Sequence, residues 1–267
     1  MQLNWPRESR FERLVWSFKL IKVLIKKDFA TRYQRSLLGV WWSLINPSVT
    51  ALTLFFVFHS SYSGKFNSKV AYGPYILSGT LIVGFLGVGV VTVTQGLHSS
   101  ASIFTRLPAP PEIFAVSNAI VLSINVLFGL FPLVIWNLIA GGSTTPFLFL
   151  VPVELLFGAA FVVGCSLLAF NAVVRFGDTI NLMLLISTLL MYLTPVFYPL
   201  YAVSRKAQFL LNLNPLTHFV NIFRSITIGY GSFSIWDWFI ISMVSTTIYL
   251  LGVHQFKRHW GRSVSLL

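Results

Sequence analysis

The sequence predicts an all-α polytopic membrane protein with six transmembrane helices, an N-terminal amphipathic interface helix, and re-entrant helices between spans 5 and 6. Of its 267 residues, 55% are hydrophobic and only 10% are charged, whereas a soluble domain carries about 25% charged residues. Six long apolar stretches match the ~20 residues that a bilayer core requires of each helix. Backbone polar groups must be paired inside a membrane, so we expect these spans to be helices.

Residues 1–36 are predicted to form a basic amphipathic interface segment, ahead of a six-span domain at residues 37–267. Nine basic side chains lie in this segment. Its apolar residues recur at three- and four-residue steps, which draws a stripe along one face of a helix. A helix of this kind lies in the plane of the membrane surface, where it anchors the topology. A second interpretation is that it also contacts a cytoplasmic partner. The stripe comprises Phe11, Leu14, Phe18, Ile21, Ile25, Phe29 and Tyr33.

The distribution of basic residues predicts the orientation of the chain. With the N-terminus inside, fourteen of the nineteen Lys and Arg residues lie in inside segments and five lie outside. The positive-inside rule then places both termini in the cytoplasm. The six spans are predicted at residues 38–60, 73–97, 113–139, 146–173, 179–199 and 236–256.

The inside loop between spans 2 and 3 reads SSASIFTRLPAPPE over residues 99–112. Its serines can cap a short helix, and its three prolines end that helix sharply. Most inside loops of this length are plain connectors. The prolines around the lone Arg106 favour instead a shaped docking surface on the cytoplasmic side.

The outside connection between spans 5 and 6, about residues 200–235, is apolar but too broken to cross the bilayer twice. Asn214 and Pro215 split it, and Gly229 and Gly231 close it. We therefore expect short half-helices that dip into the outer leaflet, where any irregular backbone must be shielded by protein. Gates of membrane pathways are often built from such segments.

Residues that could carry chemistry are few. Glu154 is the one acidic residue inside a predicted span, and a carboxylate there has either a substrate or gating role, or a structural role as a protonated or paired group. The sequence contains no GxxxxGK[ST] phosphate loop, so we do not expect this chain to hydrolyse ATP. We predict no catalytic residue, no metal site and no cofactor bound by this chain.

Aromatic residues are concentrated in span 1 and at the end of span 5. Aromatic faces stack on sugar rings, although packing against lipid explains any single one of them equally well. The candidates for substrate contact are Trp41, Trp42, Phe55, Tyr192, Phe197 and Tyr198.

Four segments together resemble the permeases of polysaccharide-exporting ABC transporters, the type-2 ABC exporter family. They are DFATRYQRSLLGVWWSLINP (28–47), SIFTRLPAPPEIFAVSN (102–118), RFGDTINLMLLISTLLMYLTPVFYP (175–199) and LNPLTHFVNIFRSI (213–226). They are similar to the interface helix with the first span, the coupling loop, span 5 and the re-entrant region of that family, in the same order.

The resemblance implies a homodimeric, multi-pass permease of the bacterial cytoplasmic membrane. Its partners would be two copies of a separate ATPase, which binds ATP and Mg, and a lipid-linked polysaccharide such as O-antigen, teichoic acid, capsule or galactan; no nucleic acid is implied. Spans 1 and 5 would line the channel across the dimer. The gate would include Asn214, Pro215 and Arg224. The residues that contact or flank the ATPase groove would be Ile103, Phe104, Arg106, Leu107, Pro108, Asp28, Arg32, Tyr33 and Arg35.

Three alternatives stay open. An exporter of a drug or small lipid with the same fold would share the coupling loop. A membrane enzyme of glycolipid assembly is disfavoured because no acid–base set is evident. A secondary carrier is disfavoured because Glu154 stands alone and the two halves show no repeat.

Overall fold

The computed structural model describes residues 10–33, 39–62, 71–100 and 110–264, and the regular structure in these ranges is entirely helical. Short 3-10 turns at Gly39–Trp41, Pro146–Leu150 and Leu200–Ala202 lie between the helices. The α-helices are α1 (Arg10–Tyr33), α2 (Trp42–Tyr62), α3 (Tyr72–Ser99), α4 (Glu112–Ile139), α5 (Val151–Arg175), α6 (Thr179–Tyr192), α7 (Arg205–Leu213), α8 (Pro215–Thr227) and α9 (Ile235–Val264).

The central helix of the bundle is α3, which packs against α2, α4, α5, α6 and α8. In its most apolar stretch 78% of the residues are buried, compared with 22% in α9. Glycines allow neighbours to approach it closely. A Cβ atom added at Gly87 would lie 2.8 Å from Ser187 Oγ, and one added at Gly79 would lie 2.7 Å from Arg224 Nη2.

In the part of the chain that is described, four helical stretches are long and apolar enough to cross a membrane. They match the predicted spans 2, 3, 4 and 6, with every boundary within three residues. The molecule is therefore a polytopic helical membrane protein. The four stretches are Tyr72–Ser99, Glu112–Ile139, Pro146–Arg175 and Ile235–His259.

Two shorter apolar helical stretches, Leu44–Ser60 within α2 and Thr179–Tyr192 of α6, correspond to the predicted spans 1 and 5. The prediction of a helix over residues 179–199 is wrong at its end, because α6 stops at Tyr192 and residues 193–199 form turns. Pro195 explains this early end: its ring has no N–H to donate and clashes with a carbonyl of the preceding helical turn. Residues 193–199 remain apolar, so hydropathy alone does not register the break.

The predicted half-helices are present as α7 and α8. Asn214 separates them, and α8 begins with Pro215 at its first position, where a missing N–H costs nothing. The chain turns after α8 at Gly229 and Gly231, whose φ angles are +68° and +85°. Glycine adopts this left-handed region at no steric cost.

The amphipathic helix is present as α1, but the face that packs on the bundle differs from the predicted stripe. Leu20 is buried and Leu24 packs against the core, and both lie where α1 contacts α4. Phe18, a member of the predicted stripe, is instead 69% exposed. The helix therefore has apolar residues on two faces, one of which docks on α4 while the other is exposed. Lys19, Lys22 and Lys26 are exposed.

The closest helix pair is α5 with α9. A Cβ atom at Gly164 would lie 2.6 Å from the carbonyl oxygen of Ile248 and 2.7 Å from the backbone nitrogen of Tyr249. From the other side, a Cβ atom at Gly252 would lie 2.5 Å from the carbonyl oxygen of Gly164. The two backbones are therefore in direct contact, which only glycine at these positions permits.

Candidate functional site

The turn that follows α6 leaves a row of backbone carbonyl groups without helical partners. Carbonyls at the end of a helix must be paired in some other way, and inside a membrane each unpaired group costs several kcal/mol. Side chains from α3 and α8 provide the missing donors. We call this arrangement the Arg224 network: the side chains of Tyr72, Tyr75, Asn214 and Arg224, with the carbonyl groups of residues 193–198.

Arg224 of α8 is the centre of this network and is 1% exposed. Its Nη1 donates to the carbonyl of Pro195 at 2.8 Å, and its Nη2 donates to the carbonyls of Val196 and Tyr75, both at 3.1 Å. Its Nε donates to Ser78 Oγ at 3.4 Å. The guanidinium carbon lies 3.5 Å from the centre of the Tyr75 ring, a distance at which a cation is attracted by the aromatic face. One buried arginine thus joins α8, α3 and the turn after α6.

Two tyrosines in the first turn of α3 complete the pairing of the carbonyls. The Tyr72 hydroxyl donates to the carbonyl of Phe197 at 2.7 Å. The Tyr75 hydroxyl lies 2.9 Å from the carbonyl of Tyr198 and 3.2 Å from that of Pro195. Since the two residues are three positions apart, they lie on one face of the helix. That face holds the irregular segment in place.

Asn214, a predicted gate residue, makes two sets of contacts at once. Its Oδ1 accepts from the backbone N–H of Leu216 at 3.0 Å and so caps α8. Its Nδ2 donates to Thr194 Oγ1 at 3.0 Å and to the carbonyl of Leu193 at 3.3 Å. The beginning of α8 is therefore tied directly to the end of α6.

His218 in α8 lies between two acceptors. Its Nδ1 is 2.7 Å from a carboxylate oxygen of Asp237 in α9, and its Nε2 is 2.9 Å from the carbonyl of Asn212 in α7. A neutral imidazole can donate from one nitrogen only, so both contacts are satisfied together by the charged form. The hydrogen bond to Asp237 raises the pKa of His218 above its usual range, against the opposing effect of partial burial. In its protonated form, this histidine links three helices.

The six aromatic candidates for substrate contact fall into two groups. Trp41, Trp42 and Tyr192 are exposed, with 65%, 45% and 60% of their surface accessible. The other three pack within the protein. Phe55 contacts the rings of Trp136 and Tyr72, Phe197 is buried and stacks on Phe58, and Tyr198 packs against the core.

Of the predicted coupling residues, Asp28 is the one whose side chain the structure describes. It lines a cavity of about 170 Å³ between α1, α3 and α4. Ser99 and Ser100, which precede the predicted coupling loop, line the same cavity. The loop residues Ile103, Phe104, Arg106, Leu107 and Pro108 lie outside the described residues, as do Arg35 and the side chains of Arg32 and Tyr33.

Glu154 lies in the first turn of α5 and is completely buried. Neither of its carboxylate oxygens has a hydrogen-bond partner among the described residues. An ionised carboxylate is costly in such an environment unless it is paired, and the described residues offer Glu154 no hydrogen-bond partner. Its position does not bring it into the Arg224 network.

Sequence reasoning missed Tyr72, Tyr75 and the pair formed by His218 and Asp237. No role was predicted for either tyrosine. The available signal was their three-residue spacing and their polar hydroxyl groups at the end of an apolar stretch. The partners of the two tyrosines could not be read from the sequence, because their contacts join positions more than 100 residues apart.

The bundle and the Arg224 network define a helical membrane protein in which a broken, apolar segment is held by buried polar side chains. The chain belongs to the ABC-2 type transporter family, which it matches over residues 19–228. It is therefore the membrane subunit of a transporter.

Several curated relatives are similar to this chain over most of its length. Two proteins of Klebsiella pneumoniae, each called O-antigen export system permease protein RfbA, are 22% identical over 244 residues, which is 88% of this chain and 93% of theirs. A protein of the same name from Myxococcus xanthus is 22% identical over 225 residues, covering 81% of this chain and 84% of its own.

Proposed function

We propose that this chain is the permease subunit of an ATP-driven exporter, which moves a lipid-linked polysaccharide of the O-antigen, teichoic acid or galactan type from the cytoplasmic to the outer side of the membrane. The proposal rests on the composition and exposure of two helices that pack against α3, namely α2 and α6. Both α2 and α6 contain no Asp, Glu, Lys or Arg and leave large apolar side chains exposed. A long glycan must slide past weak, repeated contacts, because strong charged sites would trap it. The relatives named for O-antigen export support this choice of cargo.

The exposed faces of α2 and α6 support a homodimer in which these helices of two copies line the pathway. We propose that both cross the membrane, which gives six spans in total. The 21 residues of α2 extend over ~31 Å at 1.5 Å per residue, which matches the ~30 Å hydrocarbon core. The exposed aromatic residues Trp41, Trp42 and Tyr192 then contact sugar rings along the pathway. Phe197 and Tyr198 contact Tyr192 and support it, and Phe55 packs against Trp136 and Tyr72.

ATP hydrolysis is assigned to a separate partner protein, present in two copies, which binds the ATP and Mg. The loop from Ile103 to Pro108 is the part that docks in the groove of this partner, and Arg106 provides its charge. Asp28, Arg32, Tyr33 and Arg35 flank the groove. The cavity that joins Asp28 to Ser99 and Ser100 supports this arrangement, since it lies where the docking loop leaves α3.

The gate function belongs to α7 and α8, the re-entrant helices between spans 5 and 6. Asn214, Pro215 and Arg224 hold these helices against the end of α6, so the turn at residues 193–199 and the re-entrant helices move together. We place both termini on the cytoplasmic side of the bacterial cytoplasmic membrane, a choice that the distribution of basic residues supports. In this orientation the Arg224 network lies toward the outer side. Glu154 is placed outside the pathway, as a protonated structural group.

The first test is depletion of the protein in its native host, followed by mass spectrometry of the lipid fraction. Accumulation of a lipid-linked glycan inside the cell is the expected result, and it identifies the substrate directly. If no such glycan accumulates, the polysaccharide assignment fails. A small lipid or a drug, exported by the same fold, is then the substrate class to examine.

The second test addresses the partner. Arg106→Glu reverses the charge of the docking loop, so it is expected to reduce co-purification of the ATPase by at least tenfold. Arg258→Glu is the matched control, because Arg258 is an exposed residue at the cytoplasmic end of α9. Equal co-purification with both variants would exclude Arg106 from the docking surface.

A further inference from the structure

A cavity of about 250 Å³ opens where the first turn of α3, the turn after α6, α8 and the loop before α9 meet. Its wall is unusual for an apolar bundle, because most of the side chains that line it are polar. At ~30 Å³ per water molecule, this volume corresponds to about eight waters, which is room for one hexose-sized ring and not for two. The polar lining residues are Tyr75, Tyr201, Asn221, Arg224, Tyr230, Ser232 and Asp237.

The charged groups of this cavity are already compensated within the protein. Four hydrogen bonds of the Arg224 guanidinium go to Ser78, Tyr75 and the turn after α6, out of the five N–H groups that it carries. Asp237 is paired with His218. A phosphate or carboxylate ligand prefers the two-pronged contact of an uncommitted guanidinium, so the cavity is poorly suited to an anion.

The other polar groups of the wall both donate and accept hydrogen bonds. They are the hydroxyls of Tyr201 and Tyr230, which are hydrogen-bonded to each other, the hydroxyl of Ser232 and the side-chain amide of Asn221. The Tyr201 ring stands at the cavity with 57% of its surface exposed, so it offers an aromatic surface to an incoming ligand. Ligand sites commonly combine an apolar or aromatic surface with a few converging polar groups. A hydroxyl-rich ring with apolar C–H faces matches both features.

We infer that this cavity binds one neutral pyranose ring of the glycan that the transporter exports. The inference rests on the proposed function, since it takes the cargo to be a polysaccharide. It adds a recognition site outside the pathway between α2 and α6, built on the same arginine that holds the turn after α6. A bound sugar contacts α8 and the loop before α9 together, so it stabilises the arrangement in which these two segments are closed on α3.

The test is a binding titration with simple glycosides on the protein purified from its membrane in detergent. The probes are the methyl pyranosides of glucose, galactose, mannose, rhamnose and N-acetylglucosamine, and ligand-observed NMR measures their affinity. Asn221→Leu removes the wall amide while retaining its approximate size, and we expect at least one glycoside to bind about tenfold more weakly to it. Asn212→Leu is the matched control, because Asn212 is exposed on the neighbouring α7 and does not line the cavity.

Several results would overturn the inference. One is that no glycoside binds the unmodified protein, and another is that Asn221→Leu and Asn212→Leu weaken binding equally. A third is that inorganic phosphate binds in the cavity and the glycosides do not. Export of the lipid-linked glycan is scored in cells that carry the same variants. If the unmodified protein exports glycan but binds no glycoside, the cavity site fails while the proposed function stands.

Discussion

The helix pair α5–α9 is held in place in one way, and the end of α6 is held in another. Gly164 and Gly252 bring the backbones of α5 and α9 into direct contact, so this pair is fixed by close packing. The end of α6 is fixed by directional hydrogen bonds from Arg224, Tyr72, Tyr75 and Asn214. Most residues of α6 itself are exposed or half-buried, and Ser187 is its one buried residue.

This difference separates the parts of the molecule that form a scaffold from those that can move. Close-packed backbones lose contact energy with any displacement, so α5 and α9 are expected to remain together. A hydrogen bond contributes only about 1 kcal/mol net when its groups can find other partners. Contacts of this kind can break and re-form, so we expect the end of α6, together with the helices α7 and α8 that are tied to it, to be the part that moves.

The largest expected effect comes from removing the arginine that holds α6. Arg224→Ala removes three hydrogen bonds to buried carbonyls, each worth about 1 kcal/mol net. It also leaves the carbonyl of Val196 without the donor described for it, which costs about 1–3 kcal/mol. We expect a loss of about 3 kcal/mol or more in stability, which lowers Tm by roughly 6 °C or more, together with loss of export. Thermal unfolding of the detergent-purified variant measures the loss of stability. Arg175→Ala, at an exposed arginine, is the control. An unchanged Tm for Arg224→Ala would show that the Arg224 network does not hold the end of α6.

The second effect tests the scaffold. A Cβ atom at Gly164 would meet the backbone of Ile248 at 2.6 Å, so Gly164→Ala must separate α5 from α9 at a cost of about 2 kcal/mol. Gly84→Ala is the control, since a Cβ there has nothing within 4 Å and replaces a helical glycine with a better helix former. The expected result is a lower Tm for Gly164→Ala only. Equal Tm values for the two variants would show that the contact is not tight.

A smaller effect is expected from a test of the link between α6 and α8. Asn214→Ala removes the cap of α8, which costs about 1 kcal/mol, and also removes the hydrogen bond to Thr194. Asn214→Asp keeps the capping oxygen but loses the donor. If the link to α6 matters for gating, both variants lose export while Asn214→Asp retains most of the stability. Normal export by Asn214→Asp would show that Asn214 serves only to cap α8.

The smallest effect is a pH dependence of the contacts around His218. Because the folded protein raises the pKa of His218, this contribution is complete below the ordinary histidine pKa of ~6.5 and is lost as the pH rises through the raised value. We expect Tm to fall with rising pH above this point, by the equivalent of a few tenths of a kcal/mol to about 1 kcal/mol. His218→Asn should flatten that dependence. A slope that persists in the variant would assign it to another group.

The sequence predicted the long apolar helices well, and the segment from the end of α6 to α8 only in outline. Spans 2, 3, 4 and 6 were placed accurately because each is a long, uninterrupted apolar helix bounded by loops, and length with hydropathy is sufficient for such an element. The division of α7 from α8 at Asn214 was also predicted, since proline and a capping residue are local signals.

The contacts that hold the end of α6 against α3 and α8 could not be predicted, because they depend on how distant elements pack. Arg224 reaches Tyr75 across 149 positions of sequence, and no local pattern encodes that contact. Arg224 was chosen as a gate residue only through the family resemblance, and its complete burial was not foreseen. The same limitation applies to α1, where the predicted stripe followed periodicity while packing against α4 selected Leu20 and Leu24 instead.

The enclosure of α3 has a consequence for how the protein responds to its lipid environment. With most of its apolar stretch buried, α3 has little contact with acyl chains, so changes in bilayer thickness act on the peripheral helices α4 and α9. The 28 residues of α4 extend over ~42 Å, longer than a ~30 Å hydrocarbon core, and such a helix accommodates the mismatch by tilting or kinking. A thinner membrane would therefore tilt the outer helices around a central helix that keeps its place, and the Arg224 network, anchored on α3, would be protected from that adjustment.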